Sequence, residues 1–586
     1  RSRMMEKISE IIINLYGEKL STALITRLSE LLYHYKELLS TVQPSSRDRR
    51  LAEQDVILIT YGDQIQEQGF HPLHTLGNFC KQYLTGLVSG IHILPFYPYS
   101  SDDGFSVINY KEVNPLLGSW EEVRALGKQF RLVFDAVINH VSVYHDWFRG
   151  FTSGDPAYQD YFITVDDDPN LSQVVRPRAL PLLTTFDTSR GQVRVWTTFS
   201  ADQVDLNYKN PQVLLEILDT LLYYVSQGAE LIRLDAIAYL WKEIGTPCIH
   251  LPQTHHIIQL IRAVLDEVAP WVMLITETNV PHTDNVSYFG DGHNEAQMVY
   301  NFALPPLVLD ALNTGDAGVL SKWAKGLTLP SKQVTFFNFL ASHDGIGLNP
   351  VRGILPDNRI DKLVQKALDH GGIVSNKHNP DGSQSPYELN INYFDMLCKP
   401  GGATSLAEQV DRFMAAQAIM LAMIGVPGIY FHSLFGSRGW PEGVKQTGRS
   451  RTINRQKLQR SELEAELSNP DSRPGKVYNR YSRLLRARAS SHAFHPFGVQ
   501  RVIQHSSAIF AIERISPDHT ARVVCIQNVS GQGQTILLDQ DLFGIHGQAN
   551  RRLRDLVSEK YILEGRQNYI AMAPYQSLWL TNELDN

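Results

Sequence analysis

Five short apolar runs in this chain end in acidic, polar or histidine residues, the side chains that most often carry chemistry. The residues that close these runs are 100–105, 135–140, 233–235, 276–279 and 342–344. A single carboxylate at the end of a strand usually caps the next helix or completes a buried ion pair. Capping does not explain five such endings along one chain, so these residues are candidates for one catalytic site.

Carboxylates without the spacing of a metal site indicate glycoside chemistry, and we predict no metal. In a retaining enzyme one carboxylate attacks the anomeric carbon, and a protonated partner about 5 Å away gives its proton to the leaving oxygen. Asp235 is suited to the attack because the neighbouring cation Arg233 favours its ionised form. Glu277 follows an apolar run, and burial would raise its pKa as an acid requires. Asp344 beside His343 is suited to binding sugar hydroxyls.

The elements that would position these residues are short apolar runs separated by stretches of helical period. The candidate strands cover residues 56–61, 90–95, 132–135, 231–235, 272–276, 298–302, 335–340 and 428–431. One of the helices between them begins at Asn210 and Pro211, a capping residue followed by a proline in the first turn. Strands buried on both faces and alternating with helices indicate an α/β fold, and eight of them indicate a TIM (β/α)8 barrel. In such a barrel the polar endings converge on one mouth.

The rest of the chain divides into an N-terminal helical extension, two inserted loop domains and a C-terminal β domain. Leucines recur every three or four positions before residue 40, as in an amphipathic helix. After about residue 495 short alternating strands are separated by turn signals. We place the extension, the barrel, its two inserts and the β domain at residues 1–52, 53–490, about 141–210 and 345–401, and 491–586. Long inserts after barrel strands are where such enzymes build substrate sites.

Composition argues against several classes of partner. The net charge of −7 provides no basic footprint for nucleic acid. The longest apolar run, residues 413–431, is interrupted by Gln417, Gly425 and Pro427, so it indicates a buried helix and strand and not a membrane span. The four cysteines lack paired spacing and the first residues contain no apolar run of signal-peptide length, so we expect a cytoplasmic protein. Both a monomer and a homodimer are compatible with the sequence.

The same residues resemble a known family. Residues 135–140, 233–235, 277 and 343–344 match, in order and context, the four signature regions of the α-amylase superfamily, glycoside hydrolase family 13. The chain is identified as a member of that family over roughly residues 55–490. Within the family it resembles the sucrose phosphorylase branch through residues 93–98, 102–105, 176–178, 203–206, 387–390 and 451–455.

This resemblance implies a role for each candidate residue. It makes Asp235 the nucleophile, Glu277 the acid and base, and Asp344 the stabiliser of the transition state. It places around the glucosyl unit Asp102, His140, Arg233, His343 and Arg451, with Phe105 and Tyr239 as an aromatic platform. Arg178 and the loop of Tyr387 and Glu388 match positions that hold phosphate, and arginine is suited to oxyanions. Inorganic phosphate would be a co-substrate, and no cofactor is implied.

Departures from the sucrose phosphorylases narrow the resemblance. Glu388 stands where those enzymes carry Gln, the helical extension is not typical of them, and the loop at residues 178–184 differs from theirs. With residues 339–350 and 385–388, these features resemble the glucosylglycerate phosphorylases. That implies reversible phosphorolysis of 2-O-α-D-glucosyl-D-glycerate to α-D-glucose 1-phosphate and D-glycerate, with retention through a covalent glucosyl-enzyme. The glycerate carboxylate would need a cationic partner, for which we expect Arg176 or Arg178.

Other functions stay open at this point. Phosphorolysis of sucrose, sucrose 6′-phosphate or glucosylglycerol would need no arginine for an acceptor carboxylate, and an α-glucosidase would turn over without phosphate. Relatives that keep the barrel without its chemistry act as binding subunits, but here the nucleophile, acid and stabiliser positions are all filled. We therefore expect an enzyme whose partners are a small sugar substrate and phosphate, with no nucleic acid and no membrane.

Overall fold

The centre of the molecule is a closed barrel of eight parallel strands in a computed structural model that describes residues 2–41, 50–537, 551–565 and 567–582. The barrel strands are β1 (Ile57–Thr60), β2 (Gly90–Ile93), β3 (Arg131–Ala136), β4 (Ala229–Leu234), β5 (Met273–Thr276), β6 (Met298–Tyr300), β7 (Thr335–Asn338) and β8 (Val426–Tyr430). Each strand pairs in parallel with its neighbours in chain order, and β1 closes the barrel against β8. The predicted α/β barrel and its eight strands are therefore confirmed.

Helices connect most of the barrel strands on the outside. They are Pro72–Leu84, Trp120–Gly127, Pro211–Ser226, Pro252–Val268, His282–Val286, Leu304–Thr314, Gly318–Lys325 and Leu406–Ala422. Three further helices, Pro441–Thr447, Arg460–Leu467 and Arg473–Ala489, follow β8. The predicted start at Asn210 is confirmed, because its side chain accepts a hydrogen bond from the Gln212 N–H and Pro211 occupies the first turn. Between β5 and β6 the connection contains only the five-residue helix His282–Val286 among its α-helices.

Both predicted inserts contain small sheets at the carboxyl ends of the barrel strands. After β3 come a strand His140–Val141, a helix Asp146–Ser153, a hairpin of Leu183–Thr188 and Gly191–Trp196, and a strand Val204–Asp205. After β7 come Ile346–Gly347, Ile373–His378 and Gln384–Asn390, which form a three-stranded sheet, with helices Asp357–Asp369 and Tyr393–Leu397. The helix Asp357–Asp369 was not expected from the sequence, although its buried Ile360, Leu363 and Ala367 have helical spacing.

The N-terminal extension is a helix, Arg3–Leu39, with a break at Gly17, where φ is +77°. It packs against the helices Pro211–Ser226 and Pro252–Val268. Leu24, Leu28 and Leu32 of the predicted stripe are buried, whereas Leu38 is 44% exposed. The predicted extension runs to residue 52, and its residues 42–49 lie outside the described residues.

Antiparallel strands follow the barrel at the C-terminal end of the chain. A six-stranded sheet contains, in spatial order, Val499–Ile503, Ile509–Ile515, Arg522–Asn528, Ser577–Asn582, Arg551–Asp555 and Tyr561–Gly565. A separate pair joins Gln534–Leu537 to Tyr569–Met572. The boundaries between extension, barrel and β domain stay predictions. Across the described residues, we find no helix whose length and hydropathy suit it to cross a bilayer.

Candidate active site

A pocket at the mouth of the barrel, here called the inner pocket, gathers most of the predicted site residues. Those that line it are Asp102, Phe105, His140, Arg178, Asp235, Tyr239, Glu277, His343, Asp344, Tyr387, Glu388 and Arg451. Arg233 lies directly beneath the pocket, and Arg176 lies beside it. The residues come from the ends of β2, β3, β4, β5 and β7, from both inserts and, for Arg451, from the 3-10 turn Ser450–Asn454 after β8, so the barrel brings together positions far apart in the sequence.

Arg233, at the end of β4, contacts three carboxylates below the pocket. Its Nη1 lies 2.5 Å from Asp135 Oδ1 and 3.1 Å from Asp235 Oδ1. Its Nη2 lies 3.7 Å from Glu277 Oε2, and its Nε donates to the Tyr300 hydroxyl at 3.1 Å. Although burial opposes it, Asp135 and the other neighbouring groups raise the pKa of Arg233. The two candidate reacting carboxylates, Asp235 and Glu277, therefore share one permanent cation, the guanidinium of Arg233.

Asp235 and Glu277 form a buried, electrostatically linked pair. Glu277 Oε2 accepts a hydrogen bond from the Ala236 N–H at 3.0 Å, and Ala236 has a φ of +48°, which is uncommon for alanine. Burial and the charge of Glu277 raise the pKa of Asp235 well above its ordinary value, against the effect of Arg233. Arg233 therefore acts on Asp235 in the expected direction, towards the ionised form, but the charge of Asp135 adds to the opposing effect of burial and Glu277.

Asp344 stands on the opposite wall, among cations. Its Oδ1 lies 2.9 Å from Arg451 Nη1, 3.5 Å from Arg455 Nη2 and 3.4 Å from His343 Nε2. These groups, Arg451 first, overcome the effect of burial and lower the pKa of Asp344 below its usual range. Burial lowers the pKa of His343 to about 3, so this ring is neutral near pH 7, and it stacks on Phe105 with 5.0 Å between ring centres.

Asp102 projects into the pocket from a short 3-10 turn, Asp102–Gly104, whose first two residues have positive φ. Its Oδ2 lies 3.4 Å from Arg178 Nη2 and accepts from Gln203 Nε2 at 3.3 Å. Despite burial, Arg178 and two further arginines lower the pKa of Asp102 to about 2. This carboxylate is therefore ionised at every pH at which the enzyme would work.

His140 is held as a neutral donor on the same side of the pocket. Its Nε2–H donates to the Phe105 carbonyl at 2.9 Å, and burial lowers the pKa of this histidine to about 4. Phe199 packs against both His140 and the edge of Tyr239, at ring separations of 5.4 Å in each case. Phe105 and Tyr239 both line the pocket, as the predicted aromatic platform requires, although neither contacts the other in a ring pair of the described residues.

Glu388 is turned towards Arg451 and not towards open space. Its two carboxylate oxygens accept from Arg451 Nε at 3.1 Å and Nη2 at 3.0 Å, and Oε1 also accepts from the Gly345 N–H at 3.0 Å. Gly345 permits this approach, because a Cβ there would lie 2.5 Å from the Glu388 side chain. Glu388 was predicted to contact phosphate or the acceptor, but a carboxylate with these partners is placed to orient Arg451 and would repel an anion.

A second space, here called the outer cavity, adjoins the inner pocket. Tyr239, Tyr387, Asn279 and Pro177 line both spaces. Arg176 lines the outer cavity and not the inner pocket. Burial raises the pKa of Tyr387, so its hydroxyl keeps its proton and can donate a hydrogen bond. The two arginines of residues 176–178 thus face different spaces, which their spacing in the sequence did not reveal.

Several residues that organise the site were missing from the predicted set. Arg455 lies between Asp103, at 2.7 Å, and Asp344, at 3.5 Å, and it belongs to the stretch 451–455 that supplied Arg451. His92 lies 2.6 Å from Asp135, below Arg233. His92, on β2, stands within an apolar strand, and no local pattern distinguishes it from a core residue.

Within the described residues, no cluster of three or more His, Cys, Asp or Glu side chains could hold a metal ion. Cys80, Cys248, Cys398 and Cys525 are all buried and free. The carboxylates of the site are engaged by arginines and backbone N–H groups instead.

Comparisons with known proteins agree with this geometry. Residues 81–344 match the family described as Alpha amylase, catalytic domain. A glucosylglycerate phosphorylase of Spirochaeta thermophila is 48% identical over 583 residues, which cover 98% of this chain and 98% of that protein. A glucosylglycerate phosphorylase of Allomeiothermus silvanus is 50% identical over 533 residues, covering 91% of this chain and 94% of that protein. The crystal structure of sucrose 6F-phosphate phosphorylase from Thermoanaerobacter thermosaccharolyticum superposes with a TM-score of 0.70 at 25% identity, covering 81% of this chain and 94% of that one.

Proposed function

The chain belongs to the family of the glucosylglycerate phosphorylases within the α-amylase superfamily, and we propose that it catalyses the reversible phosphorolysis of 2-O-α-D-glucosyl-D-glycerate. The products would be α-D-glucose 1-phosphate and D-glycerate, with the α configuration retained. The observation that carries the proposal is the placement of Asp235 and Glu277 on one buried guanidinium at the base of the inner pocket. Two carboxyl groups acting on one anomeric carbon is the arrangement that retaining transfer needs.

In the first half of the reaction Asp235 attacks the anomeric carbon while the bond to the glycerate oxygen breaks. Glu277 gives its proton to that oxygen, so glycerate leaves as an alcohol and the glucosyl unit stays as an ester of Asp235. Asp235 must be ionised to attack, whereas in the free enzyme burial and Glu277 favour its protonated form. The attack therefore requires Asp235 in its ionised form and a proton on Glu277.

The walls of the pocket would hold the glucosyl unit and its developing charge. Asp344, kept ionised by Arg451 and its neighbours, offsets the positive charge of the oxocarbenium-like transition state. Ionised Asp102 accepts hydrogen bonds from sugar hydroxyls, and the neutral rings of His140 and His343 supply further polar contacts. Arg233 holds the reacting carboxylates in place, and Phe105 and Tyr239 provide the apolar surface for the ring.

In the second half phosphate takes the place of water. Glu277, now ionised, accepts a proton from the phosphate as one of its oxygens attacks the anomeric carbon, and Asp235 is released. Tyr387 and Arg178 line the acceptor side of the inner pocket and are the groups we assign to the incoming oxyanion. Arg176 would act from the outer cavity, and Glu388 would act through Arg451. We propose inorganic phosphate as the co-substrate and no cofactor.

We further propose a cytoplasmic enzyme that acts on small sugars as a monomer or homodimer, with a barrel at residues 53–490 between the extension and the β domain. The absence of paired cysteines supports a reducing compartment, since all four thiols are buried and free.

The test is the phosphate-dependent release of glucose 1-phosphate from glucosylglycerate, glucosylglycerol, sucrose and sucrose 6′-phosphate. We expect glucosylglycerate to be preferred by kcat/KM. Preference for another member of the panel would support phosphorylase chemistry but show that the acceptor is not glycerate. Release of free glucose at the same rate with and without phosphate would show a hydrolase and overturn the proposal.

A further inference from the structure

The outer cavity contains cations that lack carboxylate partners. Arg176, Arg352 and Lys377 line it, and none of them forms an ion pair with a carboxylate of the described residues. Arg352 Nη2 donates to the Pro386 carbonyl at 3.1 Å, and Lys377 is paired in register with Ser385, so these two cations flank the same strand. The one carboxylate among the described residues that line the cavity is Asp284, which is exposed.

The inner pocket has the opposite charge balance. Five carboxyl groups line it, those of Asp102, Asp235, Glu277, Asp344 and Glu388, against the guanidinium groups of Arg178 and Arg451. Arg178 is held by Asp102, and Arg451 by Asp344 and Glu388. An anion that entered this pocket would meet more negative than positive charge, and its cations are already engaged.

Both substrates and both products of the proposed reaction are anions. Glucosylglycerate and glycerate carry a carboxylate, and phosphate and glucose 1-phosphate carry a phosphoryl group. Each must reach the acidic inner pocket, and the outer cavity adjoins it across Tyr387, Tyr239 and Asn279. The side-chain oxygen of Asn279 at this junction is buried and has no hydrogen-bond partner among the described residues, so it can accept from a hydroxyl of an incoming molecule.

We propose that Arg352 and Lys377, together with Arg176, form the outer side of an oxyanion site at the junction of the two spaces. Arg178 and Tyr387, assigned to the oxyanion above, form its inner side, and the site holds the carboxylate of glycerate in one direction of the reaction and phosphate in the other. This inference rests on the proposed function and names the residues that select charged acceptors over neutral ones. The reacting oxygen of the acceptor reaches the anomeric carbon in the inner pocket. The negative charge of the acceptor stays towards the outer cavity, whose described cations form no ion pair with a described carboxylate.

The arrangement of the cations supports this assignment. Arg352 and Lys377 are partly buried neighbours of like charge, and burial together with Arg352 lowers the pKa of Lys377. Like charges held close together without an acid between them cost free energy, and a bound oxyanion removes that cost. Electrostatic attraction of this kind raises the rate of association as well as affinity.

The experiment uses α-glucosyl fluoride as a neutral donor, so that the glucosyl-enzyme forms from a substrate that carries neither a carboxylate nor a phosphoryl group. Fluoride is the leaving group. Arg352→Gln and Lys377→Gln are compared with the wild type for transfer to glycerate, phosphate and the neutral acceptor glycerol. The matched control is Lys332→Gln, which removes the same charge from an exposed lysine just before the amino-terminal end of β7, away from the mouth of the barrel. Melting temperatures establish that each variant is folded.

We expect kcat/KM for glycerate and phosphate to fall at least about tenfold in the two site variants, mainly through KM, because each loses a charge-assisted contact. Transfer to glycerol should change less than about twofold by the same argument. Loss for glycerate alone or for phosphate alone would identify which oxyanion the site holds. Equal loss for glycerol and glycerate, or behaviour like Lys332→Gln, would overturn the proposal. Failure of the wild type to release glucose 1-phosphate from glucosylglycerate is a separate outcome, which refutes the proposed function instead.

Discussion

The inner pocket and the outer cavity lie side by side but use arginine in different ways. Around the inner pocket Arg178, Arg233, Arg451 and Arg455 each contact at least one carboxylate. In the outer cavity Arg176, Arg352 and Lys377 form no ion pair with the described carboxylates. A paired arginine fixes the position and charge of its partner, whereas an unpaired cation at a cavity wall is available to a ligand.

This difference separates residues that prepare the site from residues that select what enters it. Arg451 holds Asp344 and is itself held by Glu388, so its charge is used within the protein. If the inner pocket behaves as one connected unit, a change in one of its charged groups should alter the others, whereas a change far from it should leave activity unaltered.

Asp235→Asn should have the largest effect. Removal of the proposed nucleophile should lower kcat by about 10⁴-fold or more for any glucosyl donor. The folded protein should not be weakened. Because the folded-state pKa of Asp235 is raised, its contribution to stability is lost as pH rises above the ordinary value, and asparagine removes that cost. Thermal melts at pH 5 and 8 should show a higher melting temperature for the variant at pH 8. Retained turnover would contradict the assignment of the nucleophile.

Glu277→Gln should slow the reaction with a donor whose leaving group needs a proton much more than the reaction with a donor whose leaving group does not. Turnover of glucosylglycerate should fall by roughly 10²- to 10⁴-fold, because the leaving oxygen needs a proton. Formation of the glucosyl-enzyme from α-glucosyl fluoride should be much less affected, since fluoride leaves without protonation.

The same variant tests the electrostatic link within the pair. The charge of Glu277 raises the pKa of Asp235, so its removal should lower that pKa and let the nucleophile ionise at lower pH. In the wild type the burst of fluoride release should grow as pH rises, and in Glu277→Gln the rise should occur at lower pH. An unchanged pH profile would show that the charge of Glu277 does not affect the ionisation of Asp235.

Glu388→Gln tests whether this residue positions Arg451 or binds the acceptor. Gln keeps one hydrogen bond to Arg451 but removes the charge, and kcat should fall about tenfold with little change in KM for phosphate. Steady-state kinetics with phosphate varied at saturating glucosylglycerate separates the two parameters. An effect confined to KM for phosphate or glycerate would instead favour the direct contact that the sequence predicted.

Leu28→Ala should have the smallest effect on activity. Leu28 is fully buried where the N-terminal helix packs against the barrel helices, so its truncation should cost about 2–5 kcal/mol of stability. The site is formed by other elements, and kcat/KM at 25 °C should stay within about twofold of the wild type for a change of packing far from it. The control Leu20→Ala, on the same helix at a position 54% exposed, should change neither quantity. A selective loss of activity in Leu28→Ala would give the extension a role in catalysis.

Prediction from the sequence succeeded where one physical constraint acts on a short stretch. The strands of a closed parallel barrel are buried on both faces, so each appears as an apolar run, and all eight were located from such runs. The structure brings many of the polar residues that end those runs to one pocket, because the carboxyl ends of the strands share one rim. The helix Asp357–Asp369 was missed because its apolar spacing is short and lies in a segment rich in turn residues.

The sequence by itself determined the barrel, the set of carboxylates and their common location, since burial and strand order depend on local patterns of residue type. Only the tertiary structure decided which charges are paired. It turned Glu388 onto Arg451, divided the charge of Arg233 between Asp135 and the reacting pair, and left Arg352 and Lys377 facing the outer cavity. Coulomb interactions depend on distance and burial in space, and Glu388 is 63 positions from Arg451, as Asp135 is 98 positions from Arg233.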